Sequence, residues 1–231
     1  MKLHPALDVA TARAAYAATG HVRLAPVLAQ PDAAALHTAL RAREDWRQVV
    51  NSGDKVFELD RTTRSAMTTA QRDALDAAVT AGARDGFQYR YESIRLPDGD
   101  EPAAAEPLAA VTRLLSTSAL AILREIIGSP SITFADGQAT AYAPGDFLTG
   151  HDDAVPGKQR YGAYVLGLTP VWRVEWGGLL LFHGRDAKVT GVSPGYNTLD
   201  LFAVPQLHSV SRVTPSAAYR RYAVTGWLRS R

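Results

Sequence analysis

Beyond Pro130 the sequence sustains no helical period, and that loss constrains the fold more than any other feature. Short apolar runs are punctuated by Pro144-Gly145, Pro156-Gly157, Gly177-Gly178, Pro194-Gly195 and Pro205. Proline removes a backbone donor and glycine tolerates turn conformations, so these positions end strands and reverse the chain. Many short strands at this spacing predict a sandwich or jelly-roll barrel over residues 130–231.

Residues 1–129 have a different pattern. Asp8 is placed to cap an alanine-rich helix that Gly20 closes. His21-Val22-Arg23-Leu24 alternates as a short strand, and Pro31-Asp32 opens a helix to about Arg41 with Leu36 and Leu40 on one face. Residues 46–50 and 55–59 flank Asn51-Ser52-Gly53-Asp54 as a hairpin. Thr68-Thr69-Ala70-Gln71 is a capping box by sequence, predicting a helix that Gly82 stops. Residues 88–94 predict a strand and 108–115 a helix, with Ser118 placed to cap another helix ending before Gly128. Residues 96–102, turn-rich and acidic, separate this mostly helical support (1–129) from the barrel (130–231). That connection is too short to part independent domains. A single α+β domain over 1–231 is expected, a double-stranded β-helix (jelly-roll) core with supporting N-terminal helices.

Composition narrows the chemistry. The chain has 231 residues, is 46% hydrophobic and carries a formal charge of only +2, so a core is assured and nucleic acid is not implied. It contains no cysteine, which excludes disulfides, thiolate metal sites and cysteine nucleophiles. No apolar stretch is long enough to span a membrane and the N-terminus lacks the apolar run of a signal peptide, so the expected location is cytoplasmic. Histidine is scarce, six in all, so a histidine beside carboxylates is a ligand candidate.

Gly150-His151-Asp152-Asp153 offers such a pair. On a strand, His151 and Asp153 share a face while Asp152 points the other way. A later histidine, His208, is the candidate third ligand of a facial triad, which leaves open positions on an octahedral ferrous ion. In isolation, each of these residues is more ordinary as a surface or core side chain. On the last strand Arg221, Ala223, Thr225 and Trp227 share one face, with Tyr222, Val224 and Leu228 on the other. An inward arginine needs an anion, and its planar fork suits a carboxylate. Arg220 would then point outward into solvent.

The ordered set Tyr142-x-Pro144-Gly145-Asp146-Phe147-Leu148-x-x-His151-x-Asp153, Trp176-Gly177-Gly178-x-Leu180-x-Phe182, His208-x-Val210 and Arg221-Tyr222-Ala223-Val224-Thr225-Gly226-Trp227 resembles the 2-oxoglutarate- and Fe(II)-dependent oxygenases, particularly their prolyl-hydroxylase-like branch. The resemblance covers residues 142–228. It implies that His151, Asp153 and His208 hold iron and that Arg221 binds the distal carboxylate of 2-oxoglutarate. Tyr142 matches a position that reaches the co-substrate in relatives, with a structural role as its alternative. Thr225 and Trp227 are expected to line the pocket, with a place in the core as the alternative for Trp227, and Arg160 matches a substrate-contacting arginine whose alternative is a solvated strand end. His183 is expected in a loop away from the metal. One departure stands out: Gly167 occupies a place where many protein prolyl hydroxylases carry a tyrosine that helps hold 2-oxoglutarate.

The resemblance implies the cofactors Fe(II), 2-oxoglutarate and O2, with ascorbate as a supporting reductant, and oxidative decarboxylation coupled to hydroxylation of an unactivated carbon. A carboxylate at Asp153 argues for hydroxylation over halogenation. The substrate partner is a prolyl residue of a protein or, alternatively, a free amino acid or other small molecule; neither nucleic acid nor membrane is an expected partner. From another class, a cupin-like module holding a metal structurally is the competitor. The hairpin at 46–59 and the loop at 154–159 are both candidates for a lid.

Overall fold

A computed structural model describes residues 1–96 and 107–231; most of the predicted acidic connection, from Pro97 on, lies outside the described residues. The first part runs α1 (Val9–Thr19), β1 (His21–Leu24), α2 (Gln30–Ala42), β2 (Arg47–Ser52), β3 (Lys55–Asp60), α3 (Arg61–Ala66), α4 (Thr69–Asp85), β4 (Tyr89–Arg95), α5 (Ala109–Ser116) and α6 (Leu120–Ile127). Then follow β5 (Phe134–Ala135), β6 (Gln138–Tyr142), β7 (Phe147–His151), β8 (Arg160–Leu168), β9 (Leu180–His183), β10 (Val189–Val192), β11 (Tyr196–Ala203), β12 (His208–Val210) and β13 (Arg221–Arg229).

The strands join one antiparallel sheet that curls into the half-barrel of a double-stranded β-helix, in the order β1-β11-β8-β13-β6-β4-β7-β12-β9-β10. Strand β4 forks: residues Glu92 to Arg95 pair with β6, while Tyr89 and Arg90 pair with β7. Its other edge takes β2, which carries β3. Thus β1 and β4, from the supporting part, are hydrogen-bonded into the barrel itself.

Alternation decides what each face meets. On β8, Tyr164, Leu166 and Leu168 point outward into the main core, where they meet Val224 and Leu228 of β13 and Leu36 and Leu40 of α2. Leu36, Leu40, Leu168 and Leu228 have no exposed surface, and burying each such side chain contributes about 2 kcal/mol. Ala163 and Val165, on the opposite face, pack with Leu180, Phe182, Phe202 and Ala223 inside the barrel. Asp8 caps α1 through Thr11 N at 3.0 Å, and Gly20 ends it in the left-handed region at φ 74°.

Four details differ from the sequence expectation. α4 runs through Gly82 to Asp85, because the Gln88 side chain crosses the helix there and a Cβ would collide with its Oε1. Ser118 caps nothing: α5 and α6 abut, and Ala119 N and Leu120 N are taken by Leu114 O and Thr117 O, so α6 starts without a side-chain cap. The six-residue α3, capped by Asp60, was not anticipated. His183 ends β9 instead of lying in a loop. Among the described residues no helix is long and apolar enough to cross a membrane.

Candidate metal centre

Strands β7 and β12 pair with His151 opposite His208, which sets the two imidazoles 4.1 Å apart between ring centroids. Each ring is fixed by its own backbone. His151 Nδ1 lies 3.0 Å from Thr149 O, and His208 Nδ1 lies 2.7 Å from Gln206 O. A carbonyl oxygen only accepts, so both Nδ1 atoms carry the proton and both Nε2 atoms present a lone pair. This is the outer-shell arrangement that orients histidine toward a metal.

Asp153 arrives by an unexpected route. Strand β7 ends at His151, so alternation along a strand does not place Asp153; the residue adopts a left-handed backbone at φ 63°. That turn brings its carboxylate between the rings, 3.5 Å from His151 Nε2 through Oδ1 and 3.5 Å from His208 Nε2 through Oδ2. Asp152 is exposed and accepts from Ala154 N, turned to its own backbone. The candidate ligand atoms of His151, Asp153 and His208 all lie within 4.8 Å of one another. His183 is not in this trio; its Nε2 meets Ser209 Oγ at 2.8 Å.

Electrostatics favour an ionised Asp153 and a neutral His208. Burial pushes the Asp153 carboxyl up, but the adjacent His151 and His208 rings and the Trp227 indole outweigh it and hold it below its usual range. Burial and the neighbouring His151 lower His208 to about 4, so its imidazole is neutral near pH 7. The Trp227 Nε1 is buried and faces this carboxylate without a formed hydrogen bond.

Arg160 is not a solvated strand end. Its Nη1 donates to Asp153 O at 2.9 Å, and its Cζ lies 3.5 Å from the centre of the Trp227 ring. It therefore braces the left-handed turn at Asp153.

Arg221 and Tyr142 are register partners on β13 and β6. Arg221 is 5% exposed, and its Cζ sits 5.0 Å from the Tyr142 ring. Desolvation lowers the guanidinium from its ordinary value, yet no carboxylate among the described residues forms an ion pair with it. Tyr142 stacks on Tyr91 at 5.1 Å, and burial pushes its phenol strongly up. Arg220, expected in solvent, is instead ion-paired with the buried Glu92 on the other face of the sheet.

One cavity of about 420 Å³ collects every predicted site residue: His151, Asp153, His208, Arg221, Tyr142, Thr225, Arg160 and Trp227. Of the two lid candidates, the 154–159 loop lines it through Ala154 and Val155, and the 46–59 hairpin does not. The wall that sequence reasoning missed is aromatic. Phe87, Tyr89 and Tyr91 follow one another at 5.5 and 5.6 Å, with Phe87 5.4 Å from His151. Their i, i+2 spacing in Phe87-Gln88-Tyr89-Arg90-Tyr91 was the available signal. At Gly167 the reason for glycine is packing: a Cβ would lie 2.6 Å from Thr198 Oγ1 and 2.7 Å from Gly195 O.

A sequence model described as the 2OG-Fe(II) oxygenase superfamily matches residues 137–229. No curated protein matches the chain in sequence. Solved structures share the fold. A prolyl-4-hydroxylase from Pseudomonas putida is 19% identical with TM-score 0.63, covering 97% of this chain and 100% of its own. A prolyl hydroxylase from Trichoplax adhaerens, in complex with a hypoxia inducible factor peptide fragment, is 17% identical with TM-score 0.61, covering 96% and 89%. The α-ketoglutarate-dependent epimerase SnoN of nogalamycin biosynthesis is 14% identical with TM-score 0.60, covering 96% and 82%.

Proposed function

We propose that this chain is a 2OG-Fe(II) oxygenase, the superfamily whose model matches residues 137–229, in which His151, Asp153 and His208 hold Fe(II) and Arg221 anchors the far carboxylate of 2-oxoglutarate. The residues fit the ion. Facial ligands about 2.1 Å from a metal stand about 3 Å from one another, close to the 3.5 Å separations across Asp153. Both imidazoles already present an unprotonated Nε2. Fe(II) with 2-oxoglutarate and O2 supplies oxidative decarboxylation of the co-substrate coupled to oxygenation of a C–H bond.

The chain's own part is positioning. Arg221, buried and without a counterion among the described residues, would take a carboxylate, and Tyr142 lends its ring face to the guanidinium. Thr225 borders the same volume. Asp153 stays ionised, held by Arg160 through its backbone and by the Trp227 indole. Phe87, Tyr89 and Tyr91 exclude water on the substrate side and offer π-faces to an apolar ring or chain.

The reaction we infer is hydroxylation of an unactivated carbon, with a prolyl residue of a protein as the first substrate class. The aromatic wall beside His151 supports that reading, and so does the peptide-bound Trichoplax enzyme of the same fold. A free amino acid or other small molecule is the second reading, favoured by Gly167, where Thr198 and Gly195 leave no room for a tyrosine on the co-substrate. We place the activity in the cytoplasm, where a thiol-free chain needs no oxidising conditions. The observation that carries the proposal is Arg221, since a structural metal module has no use for a carboxylate anchor. Anaerobic addition of Fe(II) and 2-oxoglutarate should give a weak visible charge-transfer band, and aerobic incubation should yield succinate. No band and no succinate from folded, metal-loaded protein would overturn it. Comparing proline-containing peptides with free amino acids then separates the two substrate classes.

A further inference from the structure

The sheet carries a second cavity, of about 530 Å³, on the face opposite the metal. Alternation along β4 creates both: Tyr89 and Tyr91 line the metal cavity, while Arg90 and Glu92 line the second. α3 and the first turns of α4 lie along it with Arg61, Arg64 and Arg72, and Arg220 borders it just before β13. We propose that this cavity is a binding site for a small phosphate-bearing molecule.

The charge arrangement carries the argument. Five arginines line the cavity against three carboxylates, Asp76, Glu92 and Asp146, an excess of two positive charges. Glu92 is 1% exposed and serves three of the arginines at once: Arg64 at 2.5 Å, Arg61 at 3.5 Å, and Arg220. One carboxylate neutralises one guanidinium, so the other two repel within a partly desolvated space. Burial, reinforced by the charges of neighbouring arginines, depresses both Arg64 and Arg220. Arg90 uses Asp146 and Asp76. Arg72 has no carboxylate within ion-pair distance among the described residues and donates only to Ser65 O at 3.4 Å.

The size and charge select the ligand class. The volume is that of a metabolite pocket, too small for a macromolecular surface. Guanidinium forks match phosphate oxygens bidentately, and a phosphate monoester carries about two negative charges near neutral pH, the number in excess here. Nothing in this inference depends on the metal.

Calorimetric titration of the full-length metal-loaded protein, in phosphate-free low-chloride buffer, tests it with inorganic phosphate, glucose 6-phosphate and glucuronate. One saturable site for the two phosphates is expected, with glucuronate much weaker. Arg64→Gln and Arg72→Gln should each weaken glucose 6-phosphate about tenfold; Arg72 is exposed and makes no ion pair, so its variant also covers the case in which Arg64→Gln unfolds. Arg221→Gln should leave this binding unchanged. The proposal is overturned by no saturable phosphate binding up to about 10 mM, by glucuronate binding as tightly as glucose 6-phosphate, or by binding that survives Arg72→Gln but is lost in Arg221→Gln.

Discussion

Arg220 and Arg221 are adjacent in sequence, the first half-buried and the second buried, and they end on opposite faces of one sheet. Arg220 finds a carboxylate supplied by the fold, the Glu92 that it shares with Arg61 and Arg64. Arg221 finds an aromatic ring and, among the described residues, no carboxylate. The difference teaches how to separate a structural cation from a receptive one: the deciding feature is the internal counterion among the described residues, not the degree of burial. A guanidinium matched within the chain stabilises the fold; one left unmatched beside three metal-ligand candidates is the one we propose as the anchor for an external anion.

The largest break in this comparison should come at the metal. Asp153→Ala removes the carboxylate between the two imidazoles, and 2-oxoglutarate turnover to succinate should fall to background while the circular dichroism spectrum is kept. Next is Glu92→Ala, which strips three arginines of their counterion; because these arginines remain about a third exposed, the cost should be about 3 kcal/mol in urea-induced unfolding of the apo-protein. Arg221→Gln should behave in the opposite way. It should weaken 2-oxoglutarate about a hundredfold, measured by the charge-transfer titration, with little change in unfolding. If Arg221→Gln were instead the destabilising change and left 2-oxoglutarate affinity intact, the distinction between the two faces would be wrong. The smallest effect should be Trp227→Phe, which keeps the ring under Arg160 but removes the indole N–H facing Asp153; Fe(II) affinity should drop about tenfold in a chelator competition.

Much of the architecture was legible because it follows from local rules. The Pro-Gly punctuation after Pro130 announced strands, and alternation along β13 separated Ala223, in the barrel, from Val224 and Leu228, under the helices. Alternation gave the wrong reason at Asp153, where the strand had already ended; a single left-handed residue is invisible to a period-two pattern. Arg220 was misjudged because its partner, Glu92, is 128 residues away, and no local rule reports a contact that only tertiary packing creates. Gly82 misled in the same way, since its neighbour Gln88 lies beyond the helix, just before β4. The aromatic wall along Phe87, Tyr89 and Tyr91 was present in the sequence as three aromatic residues at alternate positions, yet only the fork of β4 between β6 and β7 makes it face the candidate metal ligands.

The left-handed backbone at Asp153 also sets the alphabet available to that position. Glycine, asparagine and aspartate are the residues at ease there, and of these only aspartate brings a carboxylate. Chemical similarity is therefore a poor guide to replacement: glutamate preserves the charge but is a poor match to the turn, and asparagine keeps the turn but loses the charge. The position is specified twice over, by the ligand chemistry we propose for it and by its shape, and aspartate alone answers both.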